Sequence, residues 1–423
     1  MLLPSCNNNE ESVSIFISGD IENYFATIDF SKLDKHTIDN ENAGYKLNEV
    51  LDLTQTFSDE NWILLTASDN VSAKVDFSQA NLIYLIYTEE QINVKAPSHP
   101  RLVGIKDLIE ITIISKENID KGLKLVSDYN TEILSYGNAK LMLFEEVAEN
   151  YLDGNVAFKY LPKDNIIASD LTDFEDNILY FENKHIIKNS ENGNIVWNNG
   201  KLSYKIDNVT YDYITGIVSQ VDSVVFDSYY DIKDALDNDE KVMFILPDGL
   251  SVEQVRNYSD DLTLLNNDYT IISTGDPAIS NVALASILTG VSPFQNGITQ
   301  RGIATPNIPD IFNYSMSQDK STVYIEGNSN LLNTSLSPIL NIPDLDGFTD
   351  ENVFNSAMQA LENEPDFIFV HFHGIDDINH QYSPISQEAK DKIIETENYI
   401  LQLMQAFEGK VLILPDHGAV TYY

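Results

Sequence analysis

Five short apolar and β-branched runs, Val242–Leu246, Thr270–Ile272, Thr322–Ile325, Phe367–Phe372 and Val411–Leu414, recur through the last part of the chain with helical sequence between them. A strand that is apolar along its whole length must be covered on both faces. In one chain, helices alternating with the strands of a mostly parallel sheet meet that need. The texture begins at Lys241, so residues 239–423 are expected to form one α/β domain with helices on both faces of the sheet. Its longest helix should run from Ser386 to Phe407, with Ile393, Ile400, Met404 and Phe407 on one face. Ser386 would cap it, Gly409 would stop it, and Glu388 and Lys392 would pair on its outer side.

The text before Lys241 is different. From Val13 to Lys116 it consists of β-branched and aromatic runs, such as Val13–Ile17 and Asn81–Tyr87, separated by polar turns. Residues 13–116 therefore read as a β-rich accessory domain. Residues 117–238 read as a second β-rich region, with strands at Ile178–Phe181 and Lys201–Lys205 and a turn at Asn198-Asn199-Gly200. A chain of 423 residues is too long for one ordinary core. It carries 25 basic against 66 acidic residues, a net charge of -41, yet 43% of it is hydrophobic and 10% aromatic. Such a chain can bury a core in spite of its acidity. The charge excludes nucleic-acid binding through a basic surface and opposes binding to anionic membranes.

In open α/β sheets, ligands collect beyond the carboxyl ends of the strands. Three of the expected strands run directly into chemistry-bearing residues: Pro247-Asp248-Gly249, then His371-Phe372-His373-Gly374-Ile375-Asp376 continuing to His380, and Pro415-Asp416-His417-Gly418. Carboxylates and imidazoles together suit zinc and similar borderline cations. Ser280 opens a small-residue helix ending near Gly290. A serine there is an ordinary N-cap, or else a nucleophile placed where backbone N–H groups and the helix dipole favour a phosphate.

The order of these pieces resembles the alkaline phosphatase superfamily, and within it the nucleotide pyrophosphatase/phosphodiesterase-like branch, over residues 241–423. The resemblance rests on Asp-Gly, the serine, the helix ending in Thr-Gly, Pro-x-x-x-Gly-Ile, Asp-x-x-x-His and Asp-His-Gly. It implies an alkaline-phosphatase-like fold and a serine phospho-enzyme hydrolase of phosphate mono- or diesters. It also implies two divalent ions, usually Zn2+, with Mn2+ as the other choice. Asp248, Asp416 and His417 would hold the ion that activates Ser280, and Asp376 and His380 the second. Arg301, one of three arginines, follows a region from which related enzymes contact the substrate phosphate.

Two departures stand out. Asn296 replaces a histidine common before Gly-Ile, and the family's further metal-ligand histidine after Asp-His-Gly is not met before Tyr423, as expected of a fragment of a longer gene. His371 and His373 share one face of their strand, so one of them is a conceivable substitute for that ligand, but both read as structural. The competing readings are a catalytically weak extracytoplasmic binding protein with this domain as scaffold, and a phospho-group transferase using the same residues.

Cys6 is the sole cysteine. Leu3-Pro4-Ser5-Cys6 resembles the end of a bacterial lipoprotein signal, so residues 1–12 are expected to be a leader remnant and tail, with a lipid anchor at Cys6 and an extracytoplasmic location. Pro97–Ile114 resembles the closing part of sulfite-oxidase-type molybdopterin-binding domains. That family holds its metal with a cysteine, and none lies here, so such a fold would be without that cofactor.

Overall fold

The computed structural model describes residues 14–419, apart from 24, 41, 89–90, 128–129, 151–155, 190–191, 222, 265–268 and 303. The expected leader with Cys6 lies outside the described residues. Among them, no helix is long and apolar enough to cross a membrane. The architecture is mixed α/β with a β-rich N-terminal region, divided into two compact units. The first runs to Glu182 and takes in Lys188–Gln220; the second comprises Asn183–Ile187 and the chain from Val221.

The first unit is built on a seven-stranded sheet whose neighbours are, in order, Phe144–Asn150, Val156–Pro162, Ser72–Asp76, Asn61–Ala67, Leu108–Ser115, Ser14–Gly19 and Phe25–Asp29. It draws strands from both sides of residue 116. Ile15, Ile17, Ile63, Leu65, Ile111 and Ile113 alternate with the strand period of two and fill its main core. The buried Asp20 ties three segments together. Its carboxylate accepts the N–H groups of Ser115 at 2.7 Å and Gly137 at 2.9 Å and the hydroxyl of Ser135 at 2.7 Å. The expected turn closes a hairpin between Gly193–Asn198 and Lys201–Ile206, and Asn199 (φ 47°) and Gly200 (φ 85°) both take the positive φ of such turns.

The second unit holds a five-stranded parallel sheet, of β1 (Val242–Pro247), β2 (Thr322–Glu326), β3 (Ile339–Leu340), β4 (Phe367–Phe372) and β5 (Lys410–Ile413), in the order β3-β2-β4-β1-β5. The apolar strands split by alternate residues into two cores. Phe244, Leu246, Tyr324, Phe367 and Phe369 face one side, where they meet α1 (Ser280–Thr289). Met243, Ile245, Ile368, Val370 and Phe372 face the other, against α2 (Asp350–Leu361) and α4 (Gln387–Ala406); α3 (Gly374–Gln381) follows β4 directly. Double coverage is therefore the reason these strands carry no polar face.

Three expectations need correction. Thr270–Ile272 is not a strand: only Ser273 bridges to Val224, and Ile272 packs on the core from outside the sheet, whose fifth strand is the short β3. Lys392 does not pair outward with Glu388. It is buried, bonded to Glu395 at 2.6 Å and Asp346 at 3.2 Å, with its ammonium over the ring of Phe348. Glu395 lies one turn on in α4, but Asp346 and Phe348 come from a distant loop, which helix spacing cannot reveal. Ser386 does cap α4, accepting the N–H of Ala389, but the helix ends when Phe407 turns extended (φ -112°, ψ 129°), before Gly409.

Phe369 is fully buried and stacks on Phe244 with ring centroids 4.9 Å apart. Phe369→Ala should destabilise the second unit by about 3–5 kcal/mol, through lost burial and the cavity left behind, as read by urea unfolding.

Candidate metal centre

Parallel strands end on the same edge of a sheet, so the residues at or just past the carboxyl ends of β2, β4, β1 and β5 meet along one line. That line reads Glu326, His371 and His373, Asp248, and Asp416 with His417. Register sets it: Leu246 lies opposite His371 and Pro247 opposite Phe372, and the Asp248 N–H donates to the Phe372 carbonyl at 2.9 Å. Asp248 and Asp416 are almost completely buried.

The carboxylate of Asp248 faces two ways. Its Oδ1 lies 3.4 Å from Ser280 Oγ and 3.4 Å from His417 Nε2, and Ser280 Oγ is 3.1 Å from that same nitrogen. Ser280 is the first residue of α1, and the cap position belongs to Ile279. The serine hydroxyl thus points at an acid and an imidazole. At the other end of α1, Gly290 takes the left-handed conformation at φ 72° and closes the helix. The loop carrying the exposed Arg301 is tied to the start of α1, where Asn281 Nδ2 donates to the carbonyls of Gln300 at 2.9 Å and Gly302 at 3.0 Å. Asn296 is buried in a polar knot with Ser286 and Thr289, and its Oδ1 accepts the Ile298 N–H, which is a packing role.

Asp416 Oδ1 accepts the His417 N–H at 2.8 Å, while Asp416 Oδ2 is buried with no hydrogen-bond partner. Burial, and then the neighbouring Asp248 carboxylate, push Asp416 up to about 7. Burial opposes charge on His417, but Asp416, Asp248 and Asp376 outweigh it and raise its affinity for a proton. Asp248, Asp416 and His417 each offer a ligand atom within 4.8 Å of the others. A divalent cation fits this donor set. It would give the orphaned oxygen a partner and offset two carboxylates that otherwise repel in a dry site.

Asp376 and His380 sit one turn apart on α3, with His380 Nε2 3.4 Å from Asp376 Oδ2. Asp376 belongs to the same neighbourhood: a Cβ on Gly249 would stand 2.8 Å from its Oδ1, and Gly249 also has φ +74°, so glycine is required there twice over. Burial, then Asp248, raise the Asp376 carboxyl above its ordinary range. The His380 side chain is 71% exposed.

His371 and His373, expected to be structural, border the same acid, and Glu326 was not among the expected site residues. Asp248 Oδ2 lies 3.4 Å from His371 Nε2 and 3.2 Å from His373 Nδ1, and the opposite nitrogens of both rings meet Glu326. Burial would lower both imidazoles, but Glu326 and Asp248 raise them, His371 to about 9. Burial works against ionisation of Asp248 too, and the two histidines hold it well below the usual carboxylate range. The period-two spacing of the histidines was the available signal; the partner on β2 was not visible in it.

A family model for type I phosphodiesterase / nucleotide pyrophosphatase matches residues 344–422. The segment includes Asp376, His380, Asp416 and His417, and Asp248 and Ser280 precede it. Comparison with curated proteins gave no match. The match supports a phosphoesterase-like enzyme at the level of the family, and lends nothing to the resemblance of Pro97–Ile114 to molybdopterin-binding domains.

Asp416 must shed its proton to ligate, so cation binding and pH are linked. In the metal-free protein, the stability carried by protonated Asp416 is present at low pH and lost as pH rises through about 7. Zn2+ should therefore raise Tm more at pH 8 than at pH 6, with about 2.7 kcal/mol of stabilisation at a hundredfold excess over Kd. Thermal melts at the two pH values check this, and Asp416→Asn should remove most of the difference.

Proposed function

We propose that the chain is a divalent-metal-dependent hydrolase of phosphate mono- or diesters with the alkaline-phosphatase-like fold, nearest the nucleotide pyrophosphatase/phosphodiesterase branch, and that Ser280 is its nucleophile. The observation that carries the proposal is the aim of the Ser280 hydroxyl, 3.1 Å from His417 Nε2 and 3.4 Å from Asp248 Oδ1 at the start of α1. The partial family match supports the reaction class.

In this reading Asp248, Asp416 and His417 hold one ion, and Asp376 and His380 contribute to a second. Bound there, the ions, Zn2+ by the family's habit, supply positive charge that favours the ionised serine and the phosphoryl oxygens. Asp248 and His417 orient Ser280 Oγ for in-line attack on phosphorus. The bond to the leaving alcohol breaks as the serine–phosphorus bond forms, and water then cleaves the phosphoserine, releasing phosphate or a phosphomonoester and restoring the hydroxyl. The amino end of α1 places its dipole toward the negative phosphoryl group. The guanidinium of Arg301, on the loop pinned by Asn281, is the group for two phosphoryl oxygens.

The test is hydrolysis of p-nitrophenyl phosphate and bis(p-nitrophenyl) phosphate with added Zn2+ or Mn2+. Ser280→Ala should lower kcat by about 10³-fold or more. Arg301→Ala should weaken substrate use by about 10- to 100-fold, chiefly through KM. Activity that survives Ser280→Ala would remove the serine from this role.

A further inference from the structure

We infer that His371, His373 and Asp248 form a further divalent-cation site, distinct from the Asp416 and His417 side of Asp248 and from Asp376 and His380, with Glu326 holding the two imidazoles from behind. The inference shares Asp248 with the proposed catalytic centre but does not depend on phosphoester hydrolysis.

A neutral imidazole has one N–H and one lone pair, so the partner of one nitrogen decides what the other can do. Glu326 touches both rings, with Oε2 3.0 Å from His371 Nδ1 and Oε1 against His373 Nε2. It is fully buried and also accepts the Tyr324 hydroxyl at 2.6 Å and the Gly327 N–H at 3.0 Å, so four donors converge on one carboxylate. That arrangement suits an ionised acceptor drawing the N–H of each ring to itself.

The lone pairs of His371 Nε2 and His373 Nδ1 are then left facing Asp248 Oδ2, at 3.4 and 3.2 Å. In that tautomer three electron-rich atoms meet, and a cation among them would satisfy all three. His371 Nε2 is completely buried and has no hydrogen-bond partner, an independent sign that something is owed to this nitrogen. The three ligand atoms lie within 4.8 Å of one another. Two imidazoles and one carboxylate form a donor set for Zn2+ or a similar ion, and a carboxylate behind ligating histidines is the usual outer support of such sites.

The other way to fill the gap is to protonate both rings fully. Their centroids are only 3.9 Å apart with planes tilted by 33°, so two positive rings would lie against each other. One cation between the rings and Asp248 avoids that repulsion. The His373 side chain keeps 17% of its surface exposed, which leaves an approach for the ion.

The experiment is equilibrium dialysis of the full chain against micromolar Zn2+, with bound metal counted by mass spectrometry. Wild type should bind one equivalent more than His373→Asn, while His417→Ala should keep that equivalent and lose a different one. Glu326→Gln, which keeps the ligands and removes the charge behind them, should weaken the site about 10- to 100-fold. A folded His373→Asn protein that binds as much Zn2+ as wild type, with unchanged affinity, overturns the inference.

Should the variants fail to fold, long-range 1H–15N spectra of Zn2+-saturated wild type read the same point. One protonated and one metal-bound nitrogen on both His371 and His373 supports the site, and two protonated nitrogens on either ring overturns it. An equivalent lost in His373→Asn from a wild-type protein that hydrolyses neither phosphate ester with Zn2+ or Mn2+ would sink the hydrolase proposal and leave this one standing.

Discussion

The carboxylate of Asp248 is the group on which the rest of the site depends. It lies almost wholly out of water at the end of the central region of the sheet, and a charge so placed persists only with partners on every side. One oxygen turns to Ser280 and His417, the other to His371 and His373. Glu326 in turn supports the two histidines that meet this acid.

That arrangement follows from parallel register. Neighbouring strands of an antiparallel sheet end at opposite edges, whereas here β2, β4, β1 and β5 all end together, and Glu326, the paired histidines, Asp248 and Asp416 become neighbours from positions far apart in the chain. Helices on both faces exclude water from the strands beneath. Burial opposes charge on both acids at this edge: it raises Asp416 toward neutrality, where an oxygen lacks a partner, whereas the two histidines overcome it at Asp248 and keep that acid ionised. The same dry edge that makes uncompensated charge costly makes a bound cation effective.

Much of this was legible in sequence. Unbroken apolar runs implied strands covered on both faces, and polar residues directly after such runs implied a strand-end site. Those are local rules, and they led to Asp248, Asp416 and His417, and through the start of a small-residue helix to Ser280, four residues that the structure brings together. Local rules failed where a distant segment decided the outcome. Thr270–Ile272 has strand composition but lies outside the sheet, and Lys392 has the spacing of a surface ion pair but is drawn in by Asp346 and the ring of Phe348.

Glu326 is the clearest case of what sequence alone leaves undecided. It reads as the polar end of an apolar strand, and nothing near it in the chain marks it as the partner of His371 and His373. Residue types and periodicity determined the two-faced sheet, the strand ends and the identity of the acids and imidazoles there, because those depend on neighbours within one element. Only the tertiary structure decided which acid meets which imidazole, because strand order and register, set by the packing of both cores, place β2 beside β4 and β4 beside β1.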